Sequence, residues 1–390
     1  MVLFFWKKVY MKRSNINKVL KDLLKNHKMN QQNTKNSPYK TESDYEKSFT
    51  DILKFRSEFS PDELKRINTV IYHDENNDGM GSAAIAWKFL THDNNKTVKY
   101  IPLKPGRIAP EAHISGKHVL LLDIDIDKSR RMIDLLDKKA DSVIVIDDHG
   151  SLKPTKKIKV FAGNPSSERM EHATVAYTWK FFYPQQKVPM FIQYIDSQDA
   201  KLYMPFTPFS ELVSDAIGFR LVHDKTVYKN RQTQPQNILK DLWSIIEESN
   251  TNFWIFIGKY FAEVTENLKD QIAKNAVRRK FEGYCVGVLN FNAPALAKKV
   301  GLQIISNFEN KGQPIDFAVT WGYEYTSNAY RIGLMRRPWE NSKIDLGAIA
   351  KKLGAKGGHP KGGGGHGPVG NFYWPRSSKQ DIWDLFEGNC

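Results

Sequence analysis

Four apolar runs separated by helical stretches constrain the possible fold of this chain more than any other feature. They are "RINTVIYHD" (66–74), "TVKYIPL" (97–103), "HVLLLDI" (118–124) and "DSVIVIDDH" (141–149). The first breaks through a glycine-containing turn into "ENNDGMGSAAIAWKFL", which has helical spacing, and "KSRRMIDLLDKKA" supplies a helix before the fourth. A strand that reads as nearly continuous apolar sequence is buried on both faces. Such strands alternating with helices predict an α/β fold built on a doubly wound, mostly parallel sheet.

Polar residues fall where that architecture puts function. Three predicted strands end in acidic or histidine clusters: His73-Asp74 with Asp78, Asp123 with Asp125, and Asp147-Asp148-His149. In open α/β sheets the carboxyl ends of the strands form the ligand crevice. One Asp after one strand ordinarily caps the next helix. Carboxylates converging from three strand ends repel one another and call for a cation, and oxygen plus imidazole ligation suits Mn²⁺ or Mg²⁺ better than a thiophilic metal.

The second half reads as another lobe. Residues 216–275 are amphipathic and aromatic-rich, as a helical connector would be, and "YCVGVLNF" (284–291), "DFAVTWGYEY" (316–325) and "AYRIGLMRR" (329–337) have strand character. "KGGHPKGGGGHG" (356–367) holds seven glycines with two histidines and two lysines. Bare backbone of that kind serves either as a connector or as a loop pressed against an anion, with His359 and Lys361 as charged donors. Arg331, Arg336 and Arg337 precede it and could face the same anion, with solvated surface as the alternative for each.

Taken together, "YHDENNDGMGSAA", "LLLDID", "VIDDHGS", "QYIDSQDAKLY" (193–203) and the glycine-histidine stretch resemble, in order and spacing, the DHH phosphoesterase superfamily with a C-terminal DHHA1 domain. The resemblance implies a metal-dependent phosphodiesterase of exonuclease type, using two Mn²⁺ or Mg²⁺ ions bridged by Asp123. It maps metal ligation onto His73, Asp74, Asp78, Asp123, Asp148 and one of Asp196 or Asp199, with His149 near the scissile phosphate. It also places Gly358, His359, Lys361 and Arg336 at a substrate phosphate. The implied substrate is a short single-stranded oligonucleotide or a nucleotide, and a homodimer is left open. Two positions depart from the pattern: Asn76 stands where the family has a ligating Asp, and Asp148 where it has a His. Both a rearranged centre and a decayed one, kept for binding nucleic acid or a protein partner, are physically reasonable.

The resulting division is a basic, loosely ordered arm (1–45), a DHH-like metal-binding domain (46–215), the connector (216–278), a DHHA1-like substrate-binding domain (279–375) and a tail (376–390). A formal net charge of +15 agrees with a polyanionic partner. Cys285 and Cys390 are too few for a disulfide framework or a Cys-based zinc site, which suits a reducing compartment. The opening "MVLFFWKKVYMKR" is too short an apolar run to span a membrane, so a cytoplasmic protein with an irregular leader is expected.

Overall fold

Thr41 and Ser60 begin two of the described helices by the same device. Each side chain accepts from the backbone three residues on, and Asp44 and Glu63 return a carboxylate to the starting amide. The helices are α1 (Glu42–Lys47) and α3 (Pro61–Arg66), with α2 (Thr50–Ser57) between them. This computed structural model describes residues 41–104, 106–124, 129–148, 152–162, 171–200, 209–218, 234–248, 251–291, 294–324, 328–337, 344–357, 363–366, 369–376, 382–388 and 390. The chain divides into two compact units, residues 1–261 and 262–390. Tyr45 of α1 is fully buried in the first, so core begins inside the stretch expected to be a loose arm.

The first unit is built on five parallel strands in the order β2-β1-β3-β4-β5. They are β1 (Thr69–His73), β2 (Lys99–Leu103), β3 (His118–Leu122), β4 (Ser142–Asp147) and β5 (Ile158–Ala162). Val70, Leu120 and Ile144 pack into one core, while their neighbours Ile71, Val119, Leu121, Val143 and Val145 pack into a second. Successive side chains of a strand point to opposite faces, so each strand feeds two cores and must be apolar throughout. Helices α4 (Asn77–Trp87), α5 (Arg130–Lys139), α6 (Thr174–Phe182), α7 (Met190–Asp199), α8 (Ser210–Gly218) and α9 (Pro235–Glu248) follow. They are followed by α10 (Thr251–Ala273), within which the boundary between the units falls.

The second unit has a mixed six-stranded sheet in the order β10-β11-β9-β8-β7-β6. Its strands are β6 (Val277–Phe281), β7 (Tyr284–Asn290), β8 (Phe317–Glu324), β9 (Ala329–Met335), β10 (Gly363–His366) and β11 (Val369–Pro375). Helix α11 (Pro294–Asn310) packs Val300, Ile304 and Phe308 on one face, and α12 (Leu346–Gly357) packs Leu346, Ala350 and Leu353 on the other. Part of the glycine-rich stretch is thus an edge strand: Gly363 to His366 pair antiparallel with Val369 to Phe372. Cys285 of β7 forms a disulfide with Cys390, a pairing the sparse cysteines had not suggested. Among the described residues, no helix is long and apolar enough to cross a membrane.

Candidate metal centre

The strand order turns around between β1 and β3, with β2 on one side and β4 on the other. Loops leaving two such neighbours diverge to opposite faces and open a crevice at their carboxyl ends, which is where ligands of open α/β sheets bind. His73 ends β1, Asp123 follows β3 and Asp148 follows β4. Asp78 enters from the first turn of α4, the helix that β1 leads into.

Asp78, Asp123 and Asp148 are all buried and present ligand atoms that lie within 4.8 Å of one another. Burial pushes the Asp78 carboxyl well above the usual carboxylate range, and the charges of Asp123, Asp199 and Asp148 add to the rise. Burial also raises Asp123, opposed by its contact with His73 and reinforced by Asp148. Asp123 sits at φ 54°, in the left-handed region that costs a residue other than glycine about 1 kcal/mol or more.

Two carboxylates are clamped by the start of α6. Asp78 Oδ1 accepts from Val175 N at 2.6 Å and Oδ2 from Thr174 N at 3.1 Å. The first amides of a helix have no partner within it, so a carboxylate there is well placed. Thr174 Oγ1 accepts from Asp148 N at 3.1 Å and donates to Asp148 Oδ1 at 3.0 Å. Asp123 Oδ2 accepts from Asn76 Nδ2 at 2.8 Å and lies 3.2 Å from His73 Nδ1. Gly79 permits this packing, since a Cβ there would stand 2.4 Å from His73 O and 2.9 Å from Asp123 Oδ2.

The remaining sequence candidates separate. Asp74 is buried but outside the three-carboxylate group. Asp196 is a hydrogen-bond hub: Oδ1 accepts from Ala173 N at 2.6 Å, and Oδ2 from Tyr45 Oη at 2.8 Å and His172 Nδ1 at 2.9 Å. It anchors the same helix start that clamps Asp78. Asp199, half-buried at the end of α7, is the member of that pair whose charge reaches Asp78. Asn76, at the position where the family has a ligating Asp, caps α4 by accepting from Gly79 N at 2.8 Å. Arg336 donates to the carbonyls of Ile344 at 3.0 Å and Arg337 at 3.1 Å, and Arg337 grips Glu309 with bonds of 2.6 and 2.5 Å. His149, Gly358, His359 and Lys361 lie outside the described residues.

Thr174, His172 and Tyr45 carry the second layer of this site and were not singled out by sequence. An "HAT" before a helical run is the signal that could have drawn attention to His172 and Thr174; nothing local marks Tyr45.

Residues 68–204 match the family described as DHH family, N-terminal domain, a span that contains every carboxylate of the centre. That stretch is a DHH-family domain. The uncharacterized protein R106 of Acanthamoeba polyphaga mimivirus is 24% identical over 318 residues, or 77% of this chain and 67% of that protein. A solved DHH domain, from a protein described as belonging to a family of ribosomal proteins, aligns with TM-score 0.52 at 13% identity over 93% of this chain and 95% of that one. Exonuclease RecJ bound to manganese gives TM-score 0.48 at 12% identity over 84% of this chain and 90% of its own. The DHH fold of the chain agrees with the doubly wound architecture read from its strands. The donor set of this DHH centre fits a hard divalent cation, being three buried carboxylates with no thiolate among them.

Proposed function

We propose that this chain is a divalent-cation-dependent phosphoesterase that hydrolyses short oligonucleotides or related nucleotide phosphodiesters. The observation that carries the reading is the convergence of Asp78, Asp123 and Asp148, buried together at the switch point of the parallel sheet. A bound Mn²⁺ or Mg²⁺ supplies a water of lowered pKa and neutralises charge on the phosphoryl oxygens. Asp78, Asp123 and Asp148 hold it, and Asp199 adds negative charge from the rim. His73 orients Asp123 through their 3.2 Å contact, and with Nδ1 facing the carboxylate its Nε2 is the nitrogen that can meet a ligand.

His149, next in chain to Asp148, is assigned to the scissile phosphate. Gly358, His359 and Lys361 are assigned to a non-reacting phosphate of the substrate, where backbone amides and charged donors recognise an anion. Arg336, whose guanidinium is bonded to the carbonyls of Ile344 and Arg337, is assigned to the same phosphate. The net charge of +15 favours a polyanionic substrate.

The test is a Mn²⁺ titration of the chelator-stripped protein with a labelled dinucleotide and with a longer single strand. Cation-dependent turnover of the dinucleotide is expected. Tight, salt-sensitive binding of the longer strand without turnover of either would replace the enzyme with a nucleic-acid-binding protein on the same fold.

A further inference from the structure

Among the described residues one three-carboxylate group could hold a cation, and Asn76 limits what lies beside it. Its amide orientation is set by the chain itself: Gly79 N can only donate, so the atom it meets at 2.8 Å is the Asn76 oxygen. The nitrogen end then faces Asp123 and donates to Oδ2 at 2.8 Å. His73 Nδ1 stands 3.2 Å from the same oxygen. Asp123 Oδ2 therefore accepts the Asn76 N–H and also faces a ring nitrogen of His73.

A carboxylate that bridges two cations in the ordinary way gives one oxygen to each. Here Oδ2 accepts from the Asn76 amide, whose positive N–H end points at the place a second cation would take. Asn76 offers no ligand oxygen in exchange, because its own oxygen caps α4. The Asn76 N–H stands in for part of a second positive charge beside the buried carboxylates.

We infer that this centre binds a single divalent cation, which Asp78, Asp123 and Asp148 would hold, and that the Asn76 amide excludes a second. The inference rests on the proposed phosphoesterase reading only in taking the centre to bind a divalent cation at all. It replaces the two-ion expectation drawn from the family resemblance.

The experiment counts Mn²⁺ on the full, chelator-stripped chain by isothermal titration and by metal analysis after gel filtration. Electron paramagnetic resonance distinguishes an isolated Mn²⁺ from an exchange-coupled pair. The wild type should bind one equivalent with an isolated-ion spectrum. Asn76→Asp keeps a strong helix cap and turns the blocking donor into a ligand, so it should bind two equivalents with a coupled spectrum. A wild type that binds two, or an Asn76→Asp variant that folds and still binds one, overturns the inference while leaving the cation-dependent reading intact. A wild type that binds none overturns both.

Discussion

Asp196 and Asp199 are three residues apart on α7, yet they do different things. Sequence could not separate them, because positions three apart share a helix side and both belong to the segment that resembles the family motif. Burial separates them. Asp196 is enclosed by Tyr45, His172 and the Ala173 amide, whereas Asp199 keeps partial exposure and acts on Asp78 through its charge. The Tyr45 contact joins residues 151 apart in sequence, which no local pattern reports. Tyr45→Phe removes that donor from a fully buried carboxylate and should destabilise the protein by about 1–3 kcal/mol in urea unfolding. Thr174→Val keeps the shape and loses the hydroxyl that both accepts from and donates to Asp148. It should weaken Mn²⁺ binding by about 10-fold in isothermal titration, the usual scale for losing a partner that orients a ligand.

At the scale of elements, the most legible features were those forced by burial on two faces. β1, β3 and β4 read as apolar runs because each feeds both cores, and their acidic ends stood out against that background. β5 and β6 were not legible. Lys159 interrupts the first, and "VRRKF" reads as surface rather than strand. β10 escaped because its pairing is carried by the backbone of three glycines, which have no side chains to pattern. The start of α6 matters most among the helices, since its amides receive carboxylates from α4 and α7. That convergence ties the centre to pH. Asp78 and Asp123 have raised carboxyl pKa values in the folded state, so the fold binds their protons more tightly than the unfolded chain does. Their contribution to stability is complete below the ordinary carboxylate range and is lost as pH rises through the raised values. Thermal melts of the metal-free protein should show a midpoint that falls as pH rises above the ordinary carboxylate range, and saturating Mn²⁺ should flatten the slope. A metal-free midpoint that rises there would contradict the electrostatics of the centre.

For the whole molecule, the chain divides into a carboxylate-bearing first unit and a mixed-sheet second unit. Tyr45 and Glu46 of α1 bond to residues far along the chain. Residues 12–40 show little apolar periodicity in the sequence, so removing residues 1–40 should leave the melting temperature within about 2 °C of the full chain. The same truncation should weaken binding of a long single strand more than cleavage of a dinucleotide, because the removed arm is basic. The central claim is that Asp78, Asp123 and Asp148 form a cation centre that hydrolyses nucleotide phosphodiesters. The most direct measurement is dinucleotide turnover by the full chain, stripped of metal and then supplied with Mn²⁺, beside a folded Asp123→Ala variant. The expected result is no turnover by the stripped wild type, recovery with Mn²⁺, and none by Asp123→Ala at any Mn²⁺ concentration. Undiminished turnover by Asp123→Ala, or wild-type turnover indifferent to chelator, would contradict it.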